Sequence, residues 1–218
     1  MIHAFILDLD GVITDTAEYH YLAWKRLADE NDVHFDRSVN ENLRGISRRK
    51  SLEILLGNQI DRFSEADIAE MMETKNGYYR EMLTSITPAD FLPGAEELLK
   101  NIRKRDLKVA IGSASRNTPM VLKKLGIADF FDAVSDGHSV VRAKPAPDVF
   151  VFAAGAMKIP VEFCAVIEDA AAGVEAANTA GMVSIGVGPK DRVGHARYRY
   201  DTTADIDLGS ILEGDGSA

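Results

Sequence analysis

Ala4-Phe5-Ile6-Leu7-Asp8-Leu9-Asp10-Gly11-Val12-Ile13-Thr14-Asp15-Thr16 is the stretch whose reading decides the fold. Ala4 to Leu7 is a short, uninterrupted apolar run, the pattern of a strand buried on both faces of a parallel sheet. Asp8 and Asp10 follow it, and Gly11 lets the chain turn sharply away. Open α/β sheets bind ligands outside the carboxyl ends of their strands. Asp8 therefore stands where a nucleophile or metal ligand belongs, with Asp10 beside it as acid or base. An Asp-rich turn after a strand would look similar. Carboxylates abutting an apolar strand are costly unless paired or metal-bound, and that favours chemistry.

Composition narrows the class. A chain of 218 residues can build one sizeable core, or a core plus a modest inserted domain. The net charge of -9 argues against nucleic acid or an anionic membrane as the main partner and leaves room for a local cationic pocket for a phosphate. A single cysteine, Cys164, offers no internal disulfide and fits a reducing, cytoplasmic setting. No signal pattern precedes the first strand, and no apolar run is long enough to span a bilayer.

After Asp15 the pattern becomes helical. Thr16 is a plausible N-cap for a helix over Ala17 to Glu30, on which His20 and Trp24 share a face. By spacing alone, His20 reads equally well as a hydrogen-bonded core histidine, and Trp24 reads as packing. Ser38-Val39-Asn40-Glu41 has the form of a capping box for a short helix ending at Gly45. Ser47 caps a helix from Arg48 to Leu56, stopped by Gly57, and Ser64 caps one from about Glu65 to Leu83 that carries Lys75 and Asn76. A purely helical block interrupting an α/β pattern predicts an insertion: residues 15–87 as an α-helical domain, residues 1–14 and 88–218 as the core. Within the block, Arg44-Gly45-Ile46-Ser47-Arg48-Arg49-Lys50 offers guanidinium forks and helix N-terminal amides to an anion. A solvated basic helix start would show the same residues.

The core continues with a helix over Ala95 to Arg105 and a buried strand over Lys108 to Gly112. Next comes Ser113-Ala114-Ser115-Arg116-Asn117, a hydroxyl-rich turn suited to phosphate, though an ordinary N-cap also explains its serines. A helix over Thr118 to Leu125 and a strand over Phe130 to Ser135 follow. Lys144-Pro145-Ala146-Pro147 forms a stiff turn before a helix over Val149 to Met157. Cys164 to Ile167 is another strand, with Glu168 and Asp169 at its carboxyl end: an oxygen-rich pair suited to Mg²⁺. A small-residue helix from Ala170 to Ala180, a strand over Val183 to Gly188, a short helix over Asp207 to Leu212 and a polar tail over 213–218 complete the chain. The fold class is α/β, a Rossmann-like doubly wound parallel sheet with an inserted α-helical domain.

Asp8-Leu9-Asp10-Gly11-Val12 resembles motif I of the haloacid dehalogenase (HAD) superfamily of phosphoryl-transfer enzymes. With Thr16, His20 and Trp24 it is similar, more narrowly, to the β-phosphoglucomutase family. Ser113, Lys144 and Glu168-Asp169 match motifs II, III and IV in order. The resemblance implies a HAD core with a helical cap, Asp8 as phosphoryl acceptor and Asp10 as general acid and base. It implies Mg²⁺ on Asp8, the Asp10 backbone carbonyl and Asp169, with Glu168 bound directly or through water. Ser113 and Lys144 would neutralise the transferred group, and His20 would link cap movement to Asp10. Arg48 would hold the phosphate that is not being transferred, Lys75 would reach the site, and Arg116 and Asn117 would lie near the phosphates. Thr16, Trp24, Gly45, Asn76 and Ser115 complete the implied substrate-binding set. Two positions depart from the family: Arg116 stands where lysine is more usual, and Ala170 where serine often is. The implied activity is interconversion of β-D-glucose 1-phosphate and D-glucose 6-phosphate through an aspartyl phosphate and the 1,6-bisphosphate, by a monomer. A HAD sugar-phosphate phosphatase is the alternative. The dehalogenase branch lacks the second aspartate, and a vestigial binding protein would not need Asp8, Asp10, Lys144 and Asp169 together.

Overall fold

The apolar run at the start of the chain forms β1 (Ala4–Leu7), buried at every position and paired on both sides. The computed structural model describes residues 1–214. Between β1 and the next strand lie α1 (Ala17–Glu30), α2 (Arg37–Glu41), α3 (Arg48–Leu56), α4 (Glu65–Leu83) and α5 (Ala95–Arg103). Then follow β2 (Lys108–Gly112), α6 (Thr118–Leu125), β3 (Ala133–Ser135), α7 (Asp148–Met157), β4 (Cys164–Glu168) and α8 (Ala171–Thr179). The remainder is β5 (Val183–Val187), α9 (Lys190–Val193), β6 (Tyr198–Tyr200) and α10 (Leu208–Glu213).

All pairings are parallel, in the order β3-β2-β1-β4-β5-β6. The chain steps outward from β1 through β2 to β3, then returns to the other side of β1 with β4. This reversal opens a crevice at the carboxyl ends of β1 and β4, where such sheets bind ligands. Register does the rest. Leu7 is level with Ile111 and Ile167, so Asp8, Ser113 and Glu168 emerge side by side at one edge.

Alternation along the strands splits the core. Phe5, Leu7, Val109, Ile111 and Ile167 pack on one face against α5 and α6, and Ala4, Ile6, Ala110 and Val166 on the other against α7 and α8. The helical block has an apolar cluster of its own, including Trp24, Leu27, Phe35, Leu52, Leu55 and Ile68. Tyr79 and Leu83 of α4 and Ala23 of α1 belong instead to the sheet's cluster and seat the block on it.

The Ser47 and Ser64 caps form as the sequence predicts, the second as a full capping box with Asp67. Several expectations are corrected. The short helix is capped by Asp36, whose carboxylate accepts from Val39 N–H, and it ends at Glu41 rather than at Gly45. An ionised acceptor two residues earlier displaces Ser38 from that role. Thr16 makes no side-chain cap bond, because its hydroxyl is held by Tyr79 at 2.8 Å. The helix after Gly94 stops at Arg103, not Arg105. Only Ala133–Ser135 of the Phe130–Ser135 stretch is strand, since Asp132 turns its carboxylate onto Val109 N–H and the Arg103 and Lys108 side chains. Helix α9 and strand β6 were not evident from the sequence, and most of the polar tail lies outside the described residues. No helix among the described residues is long and apolar enough to cross a membrane.

Candidate active site

Three buried carboxylates meet at the crevice. Asp8, Glu168 and Asp169 each offer an oxygen within 4.8 Å of the others. Their mutual repulsion is met first by Lys144, a side chain with no exposed surface that donates to Asp8 Oδ1 at 2.7 Å and to Glu168 Oε1 at 2.5 Å. Burial alone would lower the lysine's pKa, but the two carboxylates hold it above the ordinary range. Glu168 is pushed up by burial, against the pull of Lys144, and Asp169 by burial and by its acidic neighbours. Small residues make the room. A Cβ on Gly173 would stand 1.9 Å from Glu168 Oε1, and one on Gly11, at φ +81°, 2.4 Å from Asp169 Cγ.

Both oxygens of Glu168 are engaged, since the second accepts Ala170 N–H at 2.7 Å. The second oxygen of Asp8 and both oxygens of Asp169 accept no hydrogen bond from the described residues. An all-oxygen donor set with these oxygens free fits a hard divalent cation, with Asp8 and Asp169 as the direct ligands and Glu168 behind them. The side chain of Asp10 is not part of this cluster. It turns the other way and accepts Thr16 N–H at 2.6 Å. Desolvation pushes the Asp10 carboxyl up to about 7, with the Thr16 N–H offsetting part of the rise and Asp8 adding to it.

Opposite this floor stands a wall built by α1 and α4. His20 Nε2 lies 3.9 Å from Asp10 Oδ2, and its Nδ1 is 2.8 Å from Lys75 Nζ. With Lys75 donating to Nδ1, the neutral ring carries its proton on Nε2, facing Asp10. Burial, with Lys75 and Arg48 nearby, drives the His20 pKa down, while burial and Arg48 lower that of Lys75. The Lys75 ammonium rests over the rings of Trp24 and Tyr79, and Tyr79 stacks on His20 at 4.0 Å.

Arg48 donates to Glu73 at 3.0 Å and to Asn76 Oδ1 at 2.8 Å; that same oxygen accepts Asn117 Nδ2 at 2.9 Å, joining the helical block to the sheet domain. Desolvation, together with the Arg116 charge, lowers the Arg48 pKa despite Glu73. Ser113 is buried and its Oγ accepts Ser115 N–H at 3.2 Å, while Ser115 Oγ accepts Asn117 N–H at 3.1 Å. Arg116 is anchored through Nε to the Gly137 carbonyl at 3.2 Å. These residues line one cleft of about 250 Å³, which takes in Asp8, Asp10, His20, Trp24, Gly45, Arg48, Lys75, Asn76, Ser113, Ser115, Arg116, Asn117, Lys144 and Asp169. Thr16 and Glu168 sit just behind its surface, one on Asp10 and one on Lys144.

The comparisons with known proteins agree with this geometry. The family model for haloacid dehalogenase-like hydrolases matches residues 2–181. The chain belongs to that family. Among its members, the beta-phosphoglucomutase of Bacillus subtilis (strain 168) is 43% identical over 212 residues, 96% of this chain and 94% of that one. A crystal structure of beta-phosphoglucomutase from Clostridium difficile superposes with a TM-score of 0.94 at 43% identity, covering 98% of this chain and 96% of that one. The fructose-1-phosphate phosphatase YqaB of Escherichia coli (strain K12) is 31% identical over 183 residues, 84% of this chain and 94% of that one.

In this haloacid dehalogenase-like chain, Ala170 donates its backbone N–H to Glu168, and its methyl group lies against Gly45, where a Cβ would come within 2.8 Å. Tyr79, Glu73 and Arg192 belong to the site's surroundings but to none of the motifs read from the sequence, and Arg44, read there as part of a basic anion-binding segment, pairs instead with Glu41 and lies near Asp169. Tyr79 carried one usable signal, its place one helical turn after Lys75. For Arg192 there was none.

Proposed function

We propose that this chain interconverts β-D-glucose 1-phosphate and D-glucose 6-phosphate through an aspartyl phosphate and β-glucose 1,6-bisphosphate. The observation that carries the reading is a buried Asp8 held by Lys144 at 2.7 Å, with Asp10 two residues on turned out of the carboxylate cluster onto Thr16 N–H, where it can serve as acid and base. A carboxylate oxygen of Asp8 attacks phosphorus; the phosphorus–oxygen bond to the sugar breaks, and Asp10, protonated, gives its proton to the leaving alkoxide. In the return half, Asp10 takes the proton of the accepting hydroxyl as that oxygen attacks the aspartyl phosphate. A pKa near 7 serves both directions.

Lys144 and the Ser113 turn offset charge on the transferred group, where phosphoryl transfer gains most of its rate. Mg²⁺, held by Asp8 and Asp169 with the Asp10 carbonyl, would add positive charge beside the same oxygens. Arg48, Asn76, Arg116 and Asn117 hold the distal phosphate, and His20 relays the position of the helical block, residues 15–87, to Asp10. Acting as a cap, that block excludes water and reserves the phosphoryl group for a sugar hydroxyl. We infer a monomer, since a single chain supplies every side chain the mechanism uses, and a cytoplasmic setting, which the single cysteine Cys164 fits.

A sugar-phosphate phosphatase would use the same floor with water as acceptor, and the likeness to a fructose-1-phosphate phosphatase favours keeping that outcome in the test. The experiment supplies β-glucose 1-phosphate and Mg²⁺, with and without β-glucose 1,6-bisphosphate, and follows glucose 6-phosphate and free phosphate separately. Bisphosphate-dependent glucose 6-phosphate with little free phosphate is expected. Free phosphate alone would assign the chain to the phosphatases.

A further inference from the structure

A ring of charges beside the cleft has no part yet in the proposed mechanism beyond Asp169. Glu41 and Arg44 come from the helical block; Arg192 comes from α9 of the sheet domain. Arg44 donates to Glu41 through Nε at 2.8 Å and Nη2 at 3.3 Å, and its Nη1 lies 3.6 Å from Asp169 Oδ2. Arg192 repeats the arrangement from the other side, with Nη1 3.8 Å from Glu41 Oε2 and Nη2 3.8 Å from the same Asp169 oxygen. Charge alternates around the four residues, two from each side of the domain contact at Gly45 and Ala170. Arg192 Nε is buried without a hydrogen-bond partner among the described residues. This guanidinium gives up a hydrogen bond and still reaches both carboxylates.

The distances carry the meaning. At 3.6 and 3.8 Å the two guanidinium groups pair electrostatically with Asp169 Oδ2 but donate no hydrogen bond to it. The oxygen keeps its lone pairs, and its charge is shared across the interface. A divalent cation on Asp169 would draw on the same charge and repel both arginines.

We propose that Arg44 and Arg192 couple the position of the helical block to the occupancy of Asp169, so that docking of the block and binding of a divalent cation compete for one carboxylate. This rests on Asp8 and Asp169 being the cation ligands. By linkage, the factor by which docking weakens cation binding is the factor by which the cation weakens docking. A sugar phosphate, bringing negative charge into the cleft, relieves the competition and lets cation and docked block coexist. Arg192 and Arg44 are positioning residues, since neither touches the reacting atoms.

The test measures Mg²⁺ binding to the full, substrate-free chain by calorimetry, and its radius of gyration by small-angle scattering with and without Mg²⁺. Neutralising either arginine, as Arg44→Gln or Arg192→Gln, is expected to tighten Mg²⁺ binding about threefold to tenfold, the scale of removing one partly screened like charge. Glu41→Gln, which frees both arginines to lean on Asp169, weakens it, and Arg192→Lys restores the wild-type value. Mg²⁺ increases the radius of gyration of the wild type and has less effect on the double arginine variant. Affinities within twofold of wild type in both single variants, or a wild-type radius that ignores Mg²⁺, would overturn the coupling alone. An absence of saturable Mg²⁺ binding to the wild type would overturn the cation reading, and the coupling with it.

Discussion

The floor and the wall of the cleft handle charge in opposite ways. On the floor, sheet register brings Asp8, Glu168 and Asp169 together, and Lys144 balances two of them at hydrogen-bond distance before any ligand arrives. On the wall, α1, α3 and α4 bring His20, Arg48 and Lys75 together, with the pKa of each driven down by desolvation and by its cationic neighbours. The floor is preorganised to hold one group in a fixed place. The wall has a standing excess of positive character that an anion relieves, as a site for the phosphate not being transferred requires. Breaking the floor should therefore abolish chemistry, whereas breaking the wall should chiefly weaken binding.

The largest effect is expected at Asp8. Asp8→Asn keeps the shape and removes the nucleophile, so turnover in the coupled assay falls on the order of 10⁴-fold or more. A residual rate within tenfold of wild type would place the phosphoryl acceptor elsewhere. Asp10→Asn is expected to cost about 10²–10⁴-fold, the usual range for a general acid and base. Its pH signature is directional. Transfer out of a sugar phosphate needs protonated Asp10 and declines above pH about 7; transfer into a hydroxyl needs the carboxylate and declines below it. Single-turnover measurements of each half-reaction should show limbs of opposite sign that vanish together in Asp10→Asn.

Lys144→Met sharpens the contrast through stability. Removing the cation that pairs with both Asp8 and Glu168 leaves buried carboxylates uncompensated, and a loss of about 3–5 kcal/mol is expected in denaturant titrations without metal. Mg²⁺ should recover part of that loss if the floor is a cation site. On the wall, Arg48→Ala removes charged hydrogen bonds of about 1.5–3 kcal/mol, a loss of roughly 10- to 150-fold in kcat/KM, with KM rising more than kcat falls. The smallest effect belongs to Tyr79→Phe. It deletes the hydroxyl paired with Thr16 while keeping the ring under Lys75 and His20. About 0.5–1.5 kcal/mol of stability should be lost, with turnover nearly intact.

What the sequence revealed follows the same division. Asp8, Asp10, Ser113, Glu168 and Asp169 could be read because each ends an apolar strand, and parallel register brings such ends to one edge without knowledge of tertiary contacts. The Ser47 and Ser64 caps were readable for a similar reason: the bond is local and spans three residues. Where a stronger partner existed, local as with Asp36 against Ser38 or distant in sequence as with Tyr79 for the Thr16 hydroxyl, the local pattern misled. The bond from Arg48 to Asn76 arises only when α3 packs beside α4, and the bond from Asn117 to Asn76 and the approach of Arg44 and Arg192 to Asp169 arise only when the helical block settles on the sheet. No periodicity or capping rule carries that information. The fold and the floor could be drawn from residues in order, while the wall's wiring required the assembled molecule.

The most direct single measurement is to mix the enzyme with Mg²⁺ and β-glucose 1,6-bisphosphate labelled in its phosphates, quench within one turnover in acid, and map the label on the digested protein. Label on the peptide that begins the chain, lost in Asp8→Asn and discharged by added β-glucose 1-phosphate, is the predicted result. Formation of glucose 6-phosphate with no label on the protein, or label that survives Asp8→Asn, would contradict an aspartyl phosphate at the end of the first strand.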